Sequence, residues 1–167
     1  MLASEIGHAA LGAGNALELQ VLGKLLQRWA HVDNERVLSG SGLMNLYPCL
    51  CELRGVTPVW TSTEALIGAA RSGEDALAVE HCRCSVRGWA AWPATQRSPS
   101  VHVRCTWPEA FRACAGFLAD GRFRERFLNK GVLTEVLRQV PVWRVEHGQL
   151  GVLGAAVWHA ARQPTHD

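Results

Sequence analysis

The sequence predicts an α/β fold. Most apolar residues recur at intervals of three and four, which is the period of an amphipathic helix. One segment near the C-terminus, residues 140–145, instead has the alternation of a strand. With 167 residues, of which 48% are hydrophobic, the chain is long enough to bury a core as one domain.

The first helix is predicted over residues 16–29, where leucines, a valine and a tryptophan form one apolar face. Asn15 stands at its expected N-cap position. Asp33 and Asn34 offer a second cap before a short apolar segment. Glycines within residues 39–42 then permit a tight turn before a helical pattern resumes.

Further helices follow in the first half of the chain. Thr61 and Glu64 have the spacing of a capping box, which predicts a helix over about residues 64–70. Another helix is expected to open within residues 72–75 and to run as far as Ser85.

Helical spacing returns after residue 115. Residues 117–128 present aromatic and leucine side chains on one face, and a short helix is expected to follow around Val136. In the predicted strand over residues 140–145, Pro141 favours the first positions or an edge, because proline cannot donate to a sheet. Residues 148–161 are small and apolar at helical spacing.

Residues 86–114 differ from both flanks. They hold three tryptophans among arginine, proline, cysteine and serine, with no apolar period. Aromatic stacking with interspersed arginines would suit a nucleic-acid-binding module. A net charge of only +2 over the chain counts against that interpretation.

No targeting signal and no membrane-spanning apolar run is visible, so a cytoplasmic protein is expected. The six cysteines are paired in C-x-C spacing or lone, unlike the wider knuckles of structural zinc sites. His81, Cys82, Cys84 and Cys105 could together supply four zinc ligands. Free cytosolic thiols are the favoured alternative, and no metal ligand is assigned.

Glu5 and His8 set a carboxylate and an imidazole three residues apart, which could pair with adjacent hydroxyls of a polyol. Taken alone, such residues near a terminus are more often plain surface residues. Glu35 has an equally ordinary explanation, since acids are favoured in the first turn of a helix.

Taken together, these motifs resemble the bacterial glucokinase family of ATP-dependent hexose kinases. The resemblance covers the Glu5-x-x-His8 pair and the run HVDNERVLSGSGLMNLY over residues 31–47. It resumes in FRERF at 123–127 and continues through Lys130-Gly131, the Val-Pro-Val of 140–142 and GVLGAA at 151–156.

The resemblance implies a fragment of an actin-like, ribonuclease-H-like sugar kinase, namely its C-terminal domain. It implies glucose and ATP as substrates, Mg²⁺ as cofactor, and allows a homodimer. By the same resemblance Glu5, His8 and Glu35 hold the sugar hydroxyls, for which charge-assisted hydrogen bonds are suited. No partnership with nucleic acid or membrane is expected.

In that family the aspartate base and the phosphate-binding loop lie upstream of the Glu-x-x-His pair, so neither has a counterpart in these 167 residues. Because phosphoryl transfer depends on positioning and on neutralising phosphate charge, we expect the fragment to be inactive alone. No residue is assigned as catalytic base. The alternative is a non-catalytic sugar-binding remnant or a degenerate gene product.

We therefore predict three parts: a sugar-binding part (1–85), an aberrant segment (86–114), and C-terminal helices and a strand of the same domain (115–167). Residues 88–98 and 100–111 both admit codons whose shifted frame encodes sequence similar to the missing family segment. The hypothesis is a compensated frameshift opening near Ser85 and closing near Ala115; the alternative is a genuine Trp-rich insertion.

Resequencing the gene tests this hypothesis. We expect the shifted frame between codons 85 and 115 to encode the glycine-rich strand of the family, because codon choice in a frameshifted segment still reflects the original frame. An uninterrupted frame with unrelated codons would establish an insertion instead.

Overall fold

The computed structural model describes residues 6–91, 114–142 and 149–161, and these form helices joined by short loops. The α-helices are α1 (Ala16–Leu26), α2 (Glu35–Leu38), α3 (Gly40–Arg54), α4 (Thr63–Ser72), α5 (Ala76–Ala91), α6 (Arg122–Leu128), α7 (Thr134–Arg138) and α8 (Leu150–Ala160). Short 3-10 helices cover Ile6–His8, Ala115–Leu118 and Gly131–Leu133. None of the helices in these ranges has the length and apolar character needed to cross a membrane.

The predicted α/β fold of the actin-like, ribonuclease-H-like class is wrong for the described residues, which contain no strand. Their extended pairing is limited to an isolated antiparallel bridge between Ala10 and Asp33. Residues 140–142 have no strand either, and 143–145 lie outside the described ranges. The Val140 amide donates to the carbonyl of Leu137 at 3.1 Å, which completes the turn after α7 instead of a ladder.

The predicted cap at Asn15 is confirmed, because its side chain accepts from the amide of Glu18 at 2.9 Å. Helix α1 ends at Leu26, earlier than predicted. Trp29 lies beyond it, with the Arg36 guanidinium 5.1 Å above its ring. The apolar pattern in the sequence continues past the helix end because Trp29, in the following loop, still packs against the core.

The predicted glycine turn over residues 39–42 is wrong, since these residues form the N-cap and first turn of α3. Ser39 is the cap, and its hydroxyl accepts from the amide of Gly42 at 3.0 Å. A side chain at Gly42 would place its Cβ 2.7 Å from the carbonyl oxygen of Val37. Glycine is needed here for the close approach of α3 to α2 and not for a turn.

The caps of α4 and α5 lie close to their predicted positions. Ser62, and not Thr61, caps α4 by accepting from the amide of Ala65 at 3.2 Å. Asp75 caps the start of α5 by accepting from the amide of Leu77 at 2.7 Å. Helix α5 continues through Ala91 instead of ending at Ser85, so residues 86–91 are helical. The boundaries predicted at 86–114 stay a prediction, because residues 92–113 lie outside the described part.

The C-terminal helix predicted over 117–128 is divided in two. Gly121, with φ of 80°, separates the 3-10 turn at Ala115–Leu118 from α6. The last predicted helix forms as α8, but its apolar side chains are exposed. Val152, for example, is 70% exposed and Val157 is 69% exposed.

The core is organised around α3, which packs against α1, α2, α4 and α5. Tyr47, Cys49, Leu50 and Cys51 of this helix are almost fully buried. Helix α5 lies between α4 on one side and α6 on the other. The part of the chain after residue 114 therefore joins the core through α5.

His81 of α5 lies in this core without any exposure. Its ring meets the Tyr47 ring edge-on, with centroids 6.0 Å apart. Neither ring nitrogen has a hydrogen-bond partner among the described residues. Because a buried imidazolium would lose its hydration without compensation, burial lowers the pKa of His81 from 6.5 to about 3.

A second buried polar contact joins the two flanks. Arg126 of α6 is 6% exposed, and its Nε lies 3.1 Å from Oε2 of Glu18 in α1. The Glu18 carboxylate also accepts from the amide of Gly14 at 2.6 Å and from the Asn15 side chain at 2.8 Å. One carboxylate thus satisfies the start of α1 and neutralises a buried guanidinium.

Replacing Glu18 by alanine should lower the free energy of unfolding by about 3 kcal/mol, because it leaves a buried Arg126 charge unpaired. Urea unfolding followed by circular dichroism measures this. Glu64→Ala is the matched control, since Glu64 is an exposed first-turn acid of α4 and its loss should cost less than about 0.5 kcal/mol. Equal losses in both variants would contradict the assigned importance of the pair.

His81 should make the fold sensitive to acid. The unfolded state binds the His81 proton near pH 6.5 and the folded state only near pH 3, so stability falls as the pH drops below 6.5. Between pH 7 and pH 5 this group should remove about 2 kcal/mol from the free energy of unfolding. Urea unfolding at several pH values measures the loss.

His81→Phe should reduce this pH dependence by the same amount, because phenylalanine fills the space without titrating. An unaltered pH dependence in His81→Phe would contradict this prediction, because it would mean that the His81 imidazole has the same pKa in the folded and unfolded states.

Candidate functional site

A cleft at the N-terminal end of the described chain brings together an imidazole and two carboxylates. It is an open cavity of about 290 Å³. The residues that line it are all of polar or charged type: His8, Asp33, Glu35, Arg36, Ser39, Ser41 and Asn45. This region is called the cleft below.

Backbone pairing explains why His8 and Glu35 meet. The amide of Leu11 donates to the carbonyl of Val32 at 2.9 Å, and the amide of Asn34 donates to the carbonyl of Ala9 at 3.0 Å. The isolated bridge between Ala10 and Asp33 holds the end of the 3-10 helix Ile6–His8 beside the start of α2. His8 and Glu35 therefore lie close together.

The side chains confirm this proximity. His8 Nε2 lies 3.9 Å from Glu35 Oε2, and His8 Nδ1 lies 3.7 Å from Asp33 Oδ2. The side chains of His8 and Glu35 are each 62% exposed, whereas that of Asp33 is 12% exposed. The imidazole thus stands between one buried and one exposed carboxylate, and the exposed carboxylate of Glu35 is accessible to a ligand.

The far wall of the cleft is held by hydrogen bonds to the backbone. Asn45 of α3 donates through Nδ2 to the carbonyl of Arg36 at 2.9 Å, which ties α3 to α2. The Ser39 and Ser41 hydroxyl oxygens lie 3.1 Å apart. The amide oxygen of Asn45 and the Ser41 hydroxyl add further polar atoms beside the acidic pair.

This set of groups is suited to a ligand rich in hydroxyls. Carboxylates accept hydrogen bonds, and a neutral imidazole offers one acceptor and one donor. In the described ranges no three His, Cys, Asp or Glu side chains lie close enough together to hold a metal ion. The cleft can therefore hold a polyol through its acidic residues, with no metal assigned to it.

Of the three predicted sugar-binding residues, the structure brings His8 and Glu35 together, while Glu5 lies outside the described residues. Their role in sugar binding stays a prediction. From the sequence, Asp33 is predicted only as a helix cap. It does cap α2, accepting from the amide of Arg36 at 2.7 Å, but its second carboxylate oxygen faces His8. The signal for this second role was the spacing of two acids around the start of α2, with Asp33 just before the helix and Glu35 at its first residue.

The zinc interpretation gains no support from the described residues. The Cys82 and Cys114 sulfurs lie 3.4 Å apart in the core, and burial raises the pKa of the Cys84 thiol to about 12. No group of three metal-ligating side chains forms in the described part, and Cys105 lies outside it. These thiols are packed as small apolar side chains.

Comparison with known proteins gives a consistent family. A glucokinase family model matches residues 1–91 and 111–162. A glucokinase-like protein of Xylella fastidiosa (strain Temecula1) is 34% identical over 176 residues, covering 99% of this chain and 50% of that protein. A glucokinase of Hahella chejuensis is 31% identical over 157 residues, covering 93% of this chain and 49% of that protein.

The fold is shared with a solved structure. The crystal structure of a glucokinase from an Antarctic psychrotroph superposes with a TM-score of 0.80, covering 96% of this chain and 50% of that one at 24% identity. The chain thus spans about half the length of the relatives it matches. Residues 92–110, within the segment predicted to be aberrant, lie outside the family match.

Proposed function

The chain belongs to the glucokinase family, and we propose that it carries the sugar-binding side of a kinase that transfers phosphate from ATP to D-glucose. The observation that supports this most is the pairing of His8 with Glu35 across the cleft. These residues are far apart in the sequence, yet a two-segment backbone bridge aligns them.

The chemistry of the cleft suits a hexose. Its volume of about 290 Å³ is just below the range for small-molecule sites, which begins at about 300 Å³. A sugar presents neighbouring hydroxyls that donate to carboxylates in charge-assisted hydrogen bonds, each of which contributes about 1.5–3 kcal/mol. Glu35 is exposed enough to receive such a donor directly.

ATP as phosphoryl donor and Mg²⁺ as its counter-ion are proposed from the family alone. Within the described ranges, no group of three His, Cys, Asp or Glu side chains is placed so that it could hold a metal ion. We therefore assign no residue of this chain to nucleotide, metal or proton transfer. A homodimer and a cytoplasmic location likewise stay predictions.

The role of this chain in the reaction is to bind and orient the acceptor sugar. Holding a hydroxyl in a fixed position lowers the barrier to transfer, because the entropy of alignment is lost on binding and not in the transition state. We expect these 167 residues alone to bind glucose without turning it over. A sugar-binding protein without catalysis, the alternative function, would use the same cleft.

D-Glucose should raise the melting temperature of the purified chain, because a ligand that binds only the folded state stabilises it by about 2.7 kcal/mol at one hundred times Kd.

Glu35→Gln should weaken glucose binding at least tenfold, since it replaces a charged acceptor by a neutral one. Isothermal titration calorimetry gives both dissociation constants.

The matched control is Glu64→Gln, an equivalent change in the first turn of α4 that should leave the glucose Kd unaltered. L-Glucose controls for nonspecific effects of the additive. Wild-type protein that does not respond to D-glucose would refute the proposed sugar site. A coupled phosphorylation assay with ATP and glucose tests whether the chain is catalytic. Turnover by this chain alone would contradict the expectation that it binds glucose without phosphorylating it.

A further inference from the structure

We propose that a pocket formed by α1, α5 and α6 binds a phosphate group, either as inorganic phosphate or as a phosphate monoester. The pocket has a volume of about 270 Å³ and shares no lining residue with the cleft. It is lined by Leu17, Ala76, Glu80, Arg83, Cys84, Arg87 and Arg122. This region is called the arginine pocket below, and the proposal does not depend on the sugar site.

Two of the three arginines share a single carboxylate. Nε of Arg83 and Nε of Arg122 each lie 3.2 Å from the same oxygen, Oδ2 of Asp120. The other oxygen of Asp120, Oδ1, accepts from the backbone amide of Arg122 at 3.1 Å. Asp120 therefore holds the two guanidinium groups beside each other and neutralises only one of their charges. An anion in the arginine pocket would relieve the remaining repulsion between them.

Arg87 brings a third guanidinium group to the same side of α5, because it follows Arg83 by four residues, about one helical turn. Its Nη2 lies 3.4 Å from Oε2 of Glu125, which is long for a charged hydrogen bond. The Glu125 side chain is 71% exposed, whereas that of Arg87 is 20% exposed. Such an ion pair at the surface contributes little, so Arg87 can exchange Glu125 for a ligand.

The acidic residue of the lining is already compensated. Arg54 donates to Glu80 through two nitrogens, from Nε to Oε2 at 3.1 Å and from Nη2 to Oε1. A two-point contact of this kind is the strong form of an arginine–carboxylate pair. With Glu80 paired to Arg54, the three guanidinium groups of the lining face only the carboxylates of Asp120 and Glu125. One positive charge therefore remains for a ligand.

These features suit a phosphate group. A phosphate monoester carries about −1.5 to −2 charges at neutral pH and has three strong acceptor oxygens. The ion pair of each lining arginine uses one side-chain nitrogen, so each guanidinium group has further donors for such oxygens. Cys84 adds no competing charge, because burial raises the pKa of its thiol to about 12. Leu17 and Ala76 add apolar surface on which the carbon skeleton of a monoester can pack.

Isothermal titration calorimetry of the full chain tests the proposal, with inorganic phosphate and glucose 6-phosphate as separate probes. Sodium chloride keeps the ionic strength constant, because salt screens exposed charges. We expect saturable binding of inorganic phosphate if the phosphate group suffices, and of glucose 6-phosphate alone if the ester's carbon skeleton is required. In either case Kd should rise at least tenfold in Arg83→Gln and in Arg122→Gln. Arg122→Lys keeps the charge but loses the forked donors, so it should weaken binding less than Arg122→Gln.

Arg124→Gln is the matched control. Arg124 lies in α6, is exposed and does not line the arginine pocket, so its loss removes the same charge from the same helix. The Kd of the probe that binds should stay unaltered in this variant. Glu35→Gln separates the arginine pocket from the cleft, because it should leave the Kd for inorganic phosphate unchanged.

Wild-type protein that binds neither probe would overturn the proposal. So would an equal loss of affinity in Arg124→Gln and Arg83→Gln, since it would indicate nonspecific attraction to surface charge. Circular dichroism checks that each variant is folded, and if Arg83→Gln does not fold, Arg122→Gln decides the question by the same measurement. Phosphate binding by a protein that does not respond to D-glucose would support the arginine pocket and refute the sugar site.

Discussion

The contact between Glu18 and Arg126 is the constraint on which the cleft depends. It links α1 to α6 across more than half of the chain, and both side chains are largely buried. Arg126 also approaches the carbonyl of Gly12, and Asn129 donates to the carbonyl of Gly14 at 3.1 Å. The loop before α1 is thereby held from the far flank. A side chain at Gly14 would overlap the Arg126 guanidinium in its present position beside Glu18.

Local features of the fold could be predicted where a polar side chain acts on its own backbone. Asn15 identified the start of α1 because capping needs only the next three residues. The glycines near Ser39 were misinterpreted, because their reason is the approach of α3 to the Val37 carbonyl, which is a tertiary contact. The strand predicted over 140–145 is absent at residues 140–142, the part of it that the structure describes, for a related reason: a strand requires a neighbour, and sequence alternation does not supply one.

The cleft was predictable in part. The family resemblance pointed to His8 and Glu35 as sugar-binding residues. Their chemistry alone did not distinguish them from ordinary polar residues at the surface. Asp33 was found as a cap and missed as a neighbour of His8, since the second role depends on the register of a bridge between two distant segments. A shift of one residue in that register would move Glu35 out of reach of His8. Such a register is a property of the folded chain.

Ligand binding and folding are linked at this bridge. A sugar held between His8 and Glu35 would join the two segments that the bridge between Ala10 and Asp33 aligns, and it would stabilise that alignment only in the folded state. The Glu18 carboxylate acts on the same loop from its other end, through the amide of Gly14. Sugar binding and the Glu18 contact both restrict the same short stretch of backbone. Each therefore lowers the conformational entropy that this backbone still loses when the other contact forms. The cleft is therefore ordered partly by an ion pair that never touches the ligand.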